Sequence, residues 1–350
     1  MANALAPIYF YIPEKDWPTE ALPNAAEHYW QWQNATQGVY RSGKYNWTLQ
    51  TYLNLQEHGF PSQLVNRLPL EGIVVAHRDF FPFDLQPSAN VLLVCIQADR
   101  PEHPYAQVHI VQNPQDRKLG QLGDFWKSYY MPYWPQPGLI PRDSTRGDRF
   151  ENAAYFGIRY NLAPELKDPT WQKQLQAIGL NWQVIKPENW NDYSNVDVVI
   201  GVRSFEYQGN YLWKPPSKLV NAWHAGVPAI LGHESAFKAQ RQSDLDYLEA
   251  TSPNDILRAL EQLRDNVELR HAIVKNGFWR AQTTHPSKLA KTWCKFLTEI
   301  ATPAYEHWVS TPKWGQQMFL QRRYLEIKAN GVRRRLKSFI STLPENGNWN

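Results

Sequence analysis

The 350-residue chain has only two cysteines, Cys95 and Cys294, which is too few for a disulfide framework or a thiolate metal cluster. Long apolar runs are missing as well. No stretch approaches the ~18 residues of a membrane span, and the first residues show no basic start followed by an apolar signal core. The expected location is therefore cytoplasmic. The sequence contains no Gly-x-x-x-x-Gly-Lys phosphate loop, no Cys/His set at zinc spacing and no Gly-x-Ser-x-Gly elbow. Net charge is small, with 37 Lys and Arg against 33 Asp and Glu for a formal +4. Seven bases and one acid between Met318 and Ile340 carry +6 of it, so the rest of the chain stands at −2. A slightly acidic body excludes a nucleic-acid binder, whose cations should line a whole groove or face.

With 43% apolar residues, cores are easily filled, and the length predicts two domains. Aromatics and prolines are plentiful, and Trp126, Tyr129, Tyr130, Tyr133 and Trp134 cluster together. Such rings suit sugars or bases, but packing of loops is the reading we prefer for them. In the first half, Ile8 to Ile12, Gln63 to Leu68, Gly72 to Ala76, Asn90 to Gln97 and Gln107 to Gln112 read as strands, with a helix over Trp47 to Glu57. Several of these strands are continuous apolar runs, as strands of covered parallel sheets are. Met131 to Pro141 is rich in proline, which fixes φ and lacks a donor, so the segment reads as a stiff linker. After it come strands at Ala153 to Gly157, Trp182 to Ile185, Val196 to Val202, Pro228 to Gly232 and Asp246 to Ala250. Helices are expected at Pro164 to Gly179, Ser217 to His224, Ser252 to Arg264, Asn266 to Asn276 and Pro286 to Ile300. That alternation predicts an α/β fold built from βαβ units.

Ligands in open α/β sheets bind beyond the carboxyl ends of the strands. After Val196 to Val202 come Arg203 and Ser204, and then Lys214-Pro215-Pro216-Ser217-Lys218 opens a helix. Free N–H groups at that helix start, with Lys214, Lys218 and Arg203, form a candidate diphosphate cradle. Against this stands the plainer reading of solvated lysines and Ser217 as an N-cap.

The run from Lys214 through Ala225-Gly-Val-Pro228 to Glu234 resembles the donor-site segment of GT-B glycosyltransferases. Ser252-Pro253-Asn254-Asp255, Asn266 to Arg270, Asn276-Gly277 and Tyr155-Phe156-Gly157 continue the resemblance over about residues 150–300. It implies two Rossmann-like domains facing a cleft. The expected division is residues 1–143 for the acceptor, 144–305 for the donor nucleotide and a basic helical segment over 306–350, whose last helix crosses back to the first domain.

The resemblance further implies that Arg203 and Lys218 contact the donor diphosphate. Asn221 stands where many members place a glutamate that binds ribose, which moves that contact toward Glu234. The second glutamate common in retaining members is absent around Trp213-Lys214. An inverting reaction needs a base from across the cleft, and the first-domain strand ends offer His77, Asp79 and Asp99. Asp79 and Asp99 equally suit turns. His224 reads as packed rather than catalytic, Asp244-Leu-Asp246 as a turn, and Arg142, Asp143 and Arg146 as either the hinge side of the cleft or loop ion pairs.

The expected function is therefore transfer of a sugar from a nucleoside-diphosphate sugar to a glycan, lipid-linked or small-molecule acceptor, with no metal and no separate cofactor. A nucleotide-sugar epimerase and a non-catalytic carbohydrate-binding protein on the same fold are the alternatives. Residues 318–340 are expected to dock an apolar stripe on the first domain, with peripheral contact to the inner face of a membrane as a second expectation for their basic side.

Overall fold

The structure, a computed structural model, describes residues 6–36, 38–39, 41–116, 127–206 and 211–342, with side chains as far as 333. Trp126 lies outside the described residues, as do the side chains of Arg334, Arg335, Leu336, Lys337, Phe339 and Ile340. The first sheet contains β1 (Ile8–Tyr11), β2 (Gln63–Val65), β3 (Gly72–His77), β4 (Val91–Ile96), β5 (Val108–Val111) and β6 (Lys127–Tyr130), with α1 (Tyr29–Ala35) and α2 (Gly43–Glu57) between β1 and β2. The second contains β7 (Asn152–Phe156), β8 (Asn181–Ile185), β9 (Val198–Gly201), β10 (Ala229–Leu231) and β11 (Leu248–Glu249). Its helices are α3 (Pro169–Ala177), α4 (Ser217–Ala225), α5 (Ser235–Gln240), α6 (Pro253–Asp265) and α7 (Val267–Ala281). The chain ends in α8 (Pro286–Phe296), α9 (Thr302–Ser310) and α10 (Lys313–Thr342).

Every pairing is parallel, and the orders are β2-β1-β3-β4-β5-β6 and β11-β10-β9-β7-β8. Both sheets are thus doubly wound in the 2-1-3-4-5 sense, and the strand order reverses between β1 and β3 and between β7 and β9. This is the expected architecture of two Rossmann-like units facing a cleft, with the C-terminal helices returned to the first.

Alternation within the buried strands decides which helices cover each face. Ile73 and Val75 face one core with Leu289, Trp293, Trp308 and Leu320, while Val74 and Ala76 face another with Tyr29, Leu49, Phe80 and Phe81. The connections from β3 to β4 and from β4 to β5 carry no α-helix. On one side that face is closed by α8, α9 and α10, so residues 289–305, expected with the donor domain, pack on the first sheet. In the second unit α3 and α6 cover one face through Trp171, Leu175, Ile256 and Leu260, and α4, α5 and α7 cover the other through Leu219, Trp223, Phe237 and Ala281.

The helix expected over Pro164 to Gly179 is broken into a 3-10 turn, Pro164–Lys167, and α3. Asp168 precedes a proline and is held extended, and its carboxylate accepts the Thr170 N–H at 2.8 Å as the N-cap. The linker is anchored at both ends. Met131 and Trp134 are buried in the first core, Trp134 Nε1 donates to Thr51 Oγ1 at 2.8 Å, and Leu139 packs on the second core. Arg142 and Arg146 are not cleft residues. They converge on buried Asp197, with Arg142 Nε at 2.9 Å from Oδ1, Arg146 Nη2 at 2.8 Å from Oδ2, and the Glu151 and Asn152 N–H groups at 2.9 Å.

Burial pushes the Asp197 carboxyl up, but the bonds from Arg146, the two backbone N–H groups and Arg142 outweigh it and hold the group below the usual range. Its folded pKa is depressed, so its stabilisation is present above the unfolded value near ~3.9 and is lost as pH falls through the folded value. Asp197→Asn leaves two arginines short of a counter-charge, and a loss of about 3–5 kcal/mol is expected. Denaturant unfolding at neutral pH measures it, and wild type and variant should converge in stability in acid.

Candidate functional site

The two carboxyl edges enclose a cleft of about 300 Å³. Its walls come from strand ends at and beside the order reversals: His77 at the end of β3, Ala98 and Asp99 after β4, Tyr155 to Ile158 at the end of β7, and Arg203 after β9. Lys214, Pro215, Ser217, Lys218 and Asn221 complete the wall from the start of α4.

Helix α4 begins as the sequence requires, with one difference. Its N-cap is Pro216, with no side-chain cap bond, and Ser217 is the first helical residue rather than the cap. The first-turn N–H groups are therefore available at the positive end of the helix. Gly226 at φ +69° ends the helix in the left-handed conformation, where glycine carries no Cβ penalty.

Lys218 lies in that first turn, half-buried, with Nζ 5.1 Å from the Tyr155 ring centroid. A Cβ at Gly201 would stand 2.7 Å from Leu231 Cδ2 and 2.9 Å from Lys218 Cδ, so the glycine that ends β9 makes the space the lysine stem occupies. Burial, with Arg203 and Lys214 adding to it against the Glu234 carboxylate, lowers the Lys218 pKa to about 7. Arg203 is fixed beside it, its Nε at 3.0 Å and 3.1 Å from the two oxygens of buried Glu234 and its guanidinium 5.8 Å from the Tyr211 ring. Glu234 thus stands behind Arg203 and is not a cleft-lining residue, contrary to the ribose contact expected there. Asn221 does line the cleft, and its Oδ1 accepts the Gln136 N–H at 2.9 Å.

Of the three first-domain candidates, His77 and Asp99 line the cleft and Asp79 does not. Asp79 is held by Arg100 through bonds of 2.9 Å to Oδ1 and 2.9 Å to Oδ2. His77 is buried, and its Nδ1 accepts the Asp79 N–H at 3.1 Å. In the neutral ring the proton is then on Nε2, which acts as a donor. Burial, opposed by the Asp79 carboxylate, lowers its pKa to about 4, so that neutral form persists at pH 7. Asp99 bonds Lys214 Nζ across the cleft at 3.0 Å. Burial raises the Asp99 carboxyl, but the hydrogen bond and charge of Lys214, with Arg100, hold it below the usual range. Ala98 before it takes φ +50°, an uncommon conformation for a residue with a Cβ and one found at functional sites.

The sequence reading missed Gln112 and Asn113, which follow β5. Gln112 Nε2 donates to Trp213 O at 2.8 Å and Asn113 Nδ2 to Ser235 Oγ at 2.9 Å, joining the two units across the cleft. Two amides directly after a buried strand, Val108–Val111, were the available signal. Asn46 and Tyr133 also line the cleft, with Asn46 Oδ1 accepting from Tyr29 OH and from Gln33 Nε2 at 2.8 Å each. No local pattern marks Asn46, and Tyr133 belongs to the aromatic cluster read as loop packing; α2 and the linker bring the two together.

His224 is away from the cleft, bonded through Nε2 to Thr284 Oγ1 at 2.9 Å. Asp246 shapes a turn, accepting the Gln242 and Ser243 N–H groups at 2.6 Å and 2.9 Å. Among the described residues no group of three or more His, Cys, Asp or Glu side chains is placed to hold a metal ion.

No protein-family model matches the chain, and no curated protein matches it in sequence. Among solved structures it is similar to Anabaena HepE in complex with UDP, at 10% identity and a TM-score of 0.47, covering 84% of this chain and 100% of that one. It is also similar to the sucrose-phosphate synthase of Thermosynechococcus elongatus, at 13% identity and a TM-score of 0.44, covering 73% and 77% of the two chains. A third similar structure is WaaG, a glycosyltransferase involved in lipopolysaccharide biosynthesis, at 10% identity and a TM-score of 0.42, covering 83% and 99%.

A lysine held near pKa 7 in the folded chain and near ~10.4 when unfolded is a folding penalty in its charged form. Between those values the unfolded chain binds more protons, so stability rises with pH. Lys218→Met should therefore raise the melting temperature at pH 6, and the gain should shrink as pH increases. Calorimetric scans across that range check it.

Proposed function

We propose that the chain is a glycosyltransferase that moves a sugar from a nucleoside-diphosphate sugar to a hydroxyl of a glycan, lipid-linked or small-molecule acceptor. The observation that carries this reading is the convergence of Lys218, Arg203 and Lys214 on the start of α4, inside a cleft between two doubly wound sheets. A diphosphate fits such a place chemically. Its oxygens accept from the first-turn N–H groups, and its charge returns Lys218 to the protonated form. As the sugar–phosphate bond breaks, negative charge grows on the leaving oxygen, and the same cations stabilise it better in the transition state than in the ground state.

Asp99 is the one carboxylate among the described cleft-lining residues, and in an inverting reaction it takes the proton of the attacking acceptor hydroxyl. Lys214 has to release it first, which a donor diphosphate competing for that ammonium brings about. His77 Nε2–H then serves as a hydrogen-bond donor to a sugar or acceptor oxygen. The Asp99–Lys214 pairing also favours a second reading, in which the cleft binds nucleotide sugars without transferring them. Conversion of a donor with no acceptor present would instead favour an epimerase. A cytoplasmic location belongs to the same proposal.

Thermal shifts with UDP-, GDP-, ADP-, CMP- and dTDP-sugars identify the donor. Against that donor, Lys218→Met should weaken binding by about ten- to a hundred-fold, in line with ~1.5–3 kcal/mol for a hydrogen bond to a charged group. Wild-type affinity should fall as pH rises above 7, where the free enzyme loses the Lys218 proton, and this slope should disappear in the variant. Unchanged affinity and turnover in Lys218→Met sink the proposal.

A further inference from the structure

Helix α10 has two faces, and only one belongs to the protein core. On the inner face Leu320 and Ile327 are buried, Tyr324 stacks on Tyr105 with centroids 5.6 Å apart, and Gln316 Nε2 donates to Trp308 O at 2.7 Å and Ala89 O at 3.0 Å. The docking expected of this helix is complete without its outer face.

That outer face carries an exposed apolar stripe, with the exposed polar residues Gln321 and Lys328 beside it. Trp314, Met318, Leu325 and Val332 are 70%, 63%, 64% and 56% exposed. Their offsets of four, eleven and eighteen residues place them within about 40° of one another around the axis, in a stripe roughly 27 Å long. Four large apolar side chains in one line on a charged helix differ from the scattered exposed residues any surface carries. Lys313, Arg322, Lys328 and Arg333 are all exposed on the same helix. The one acid between 313 and 333, Glu326, is already paired with Arg322 at 3.0 Å and with Arg323. Among the described residues no helix is long and apolar enough to cross a membrane.

An apolar stripe accompanied by cations on a helix already fixed to a folded body matches one partner by charge, an anionic lipid surface on which the helix lies flat. We propose that the outer face of α10 is a membrane-docking surface, with Met318, Leu325 and Val332 entering the acyl boundary, Trp314 at the headgroup level, and Arg322, Lys328 and Arg333 meeting anionic headgroups. The earlier expectation placed the basic residues alone against lipid; here the apolar stripe is the inserting element and the bases orient it.

Flotation of the full chain with phosphatidylcholine vesicles, with and without phosphatidylglycerol, tests this. Wild type should float with the anionic vesicles and hardly at all with the neutral ones, and salt should weaken binding. The double variant Met318→Glu, Leu325→Glu should lose at least about ten-fold in partition, as two apolar side chains leave the interface and two negative charges enter it. The triple variant Arg322→Gln, Lys328→Gln, Arg333→Gln should lose the preference for phosphatidylglycerol. Unchanged melting temperature and donor-induced thermal shift in both variants show that folding and the cleft are intact, so this result stands apart from that of the proposed function. The proposal is overturned if wild type fails to float, if the variants float as well as it does, or if sedimentation shows a wild-type dimer that the double variant dissolves, which would make a second copy the occupant.

Discussion

Three cationic side chains, Arg203, Lys214 and Lys218, meet at the carboxyl edge of the second sheet, where the one buried carboxylate, Glu234, holds Arg203 and acts on Lys218. Positive charge brought out of water in this way is unfavourable, and the burial of Lys218 expresses it as a pKa near 7. Glu234 holds Arg203, Asp99 reaches across the cleft to hold Lys214, and Lys218 is left with a ring face and the helix start. A site that is under-neutralised by its own residues favours a bound anion.

The fold keeps those charges together. In both sheets the strand order reverses beside the first strand, and at each reversal neighbouring connections run to opposite faces and leave a crevice. The linker sets the two crevices opposite each other. Trp134 is buried in one core, and Arg142 and Arg146 clamp Asp197 at the near end of the other sheet. Contacts from Gln112, Asn113 and Asp99 then join the walls.

The C-terminal helices solve a separate problem. Parallel strands need covering on both faces, yet the connections around β4 contribute no α-helix. Helices α8 to α10 supply the missing layer through Trp293, Trp308 and Leu320. Only the inner stripe of α10 is needed for this, so the same helix presents a second apolar stripe outward without loss to the core.

Much of this was legible in the sequence. Continuous apolar runs at β3, β4 and β9 announced parallel strands because burial on both faces leaves no room for polar alternation. The basic loop before α4 and the glycine and proline after it marked the helix start and end, since those residue types have few other uses at such positions. What the sequence alone could not decide were the partners. Asp79 and Asp99 look alike after their strands, but Arg100 removes one from the cleft and Lys214 draws the other into it. Glu234 reads as a ligand contact and is a buried counter-ion, Tyr133 reads as loop packing and lines the cleft, and Asn46 carries no signal at all. Local sequence determines backbone propensity and which faces are apolar. Which charges meet is set by the crossing of distant strand ends, so only the tertiary structure decided the chemistry of the cleft and left the outer face of α10 bare.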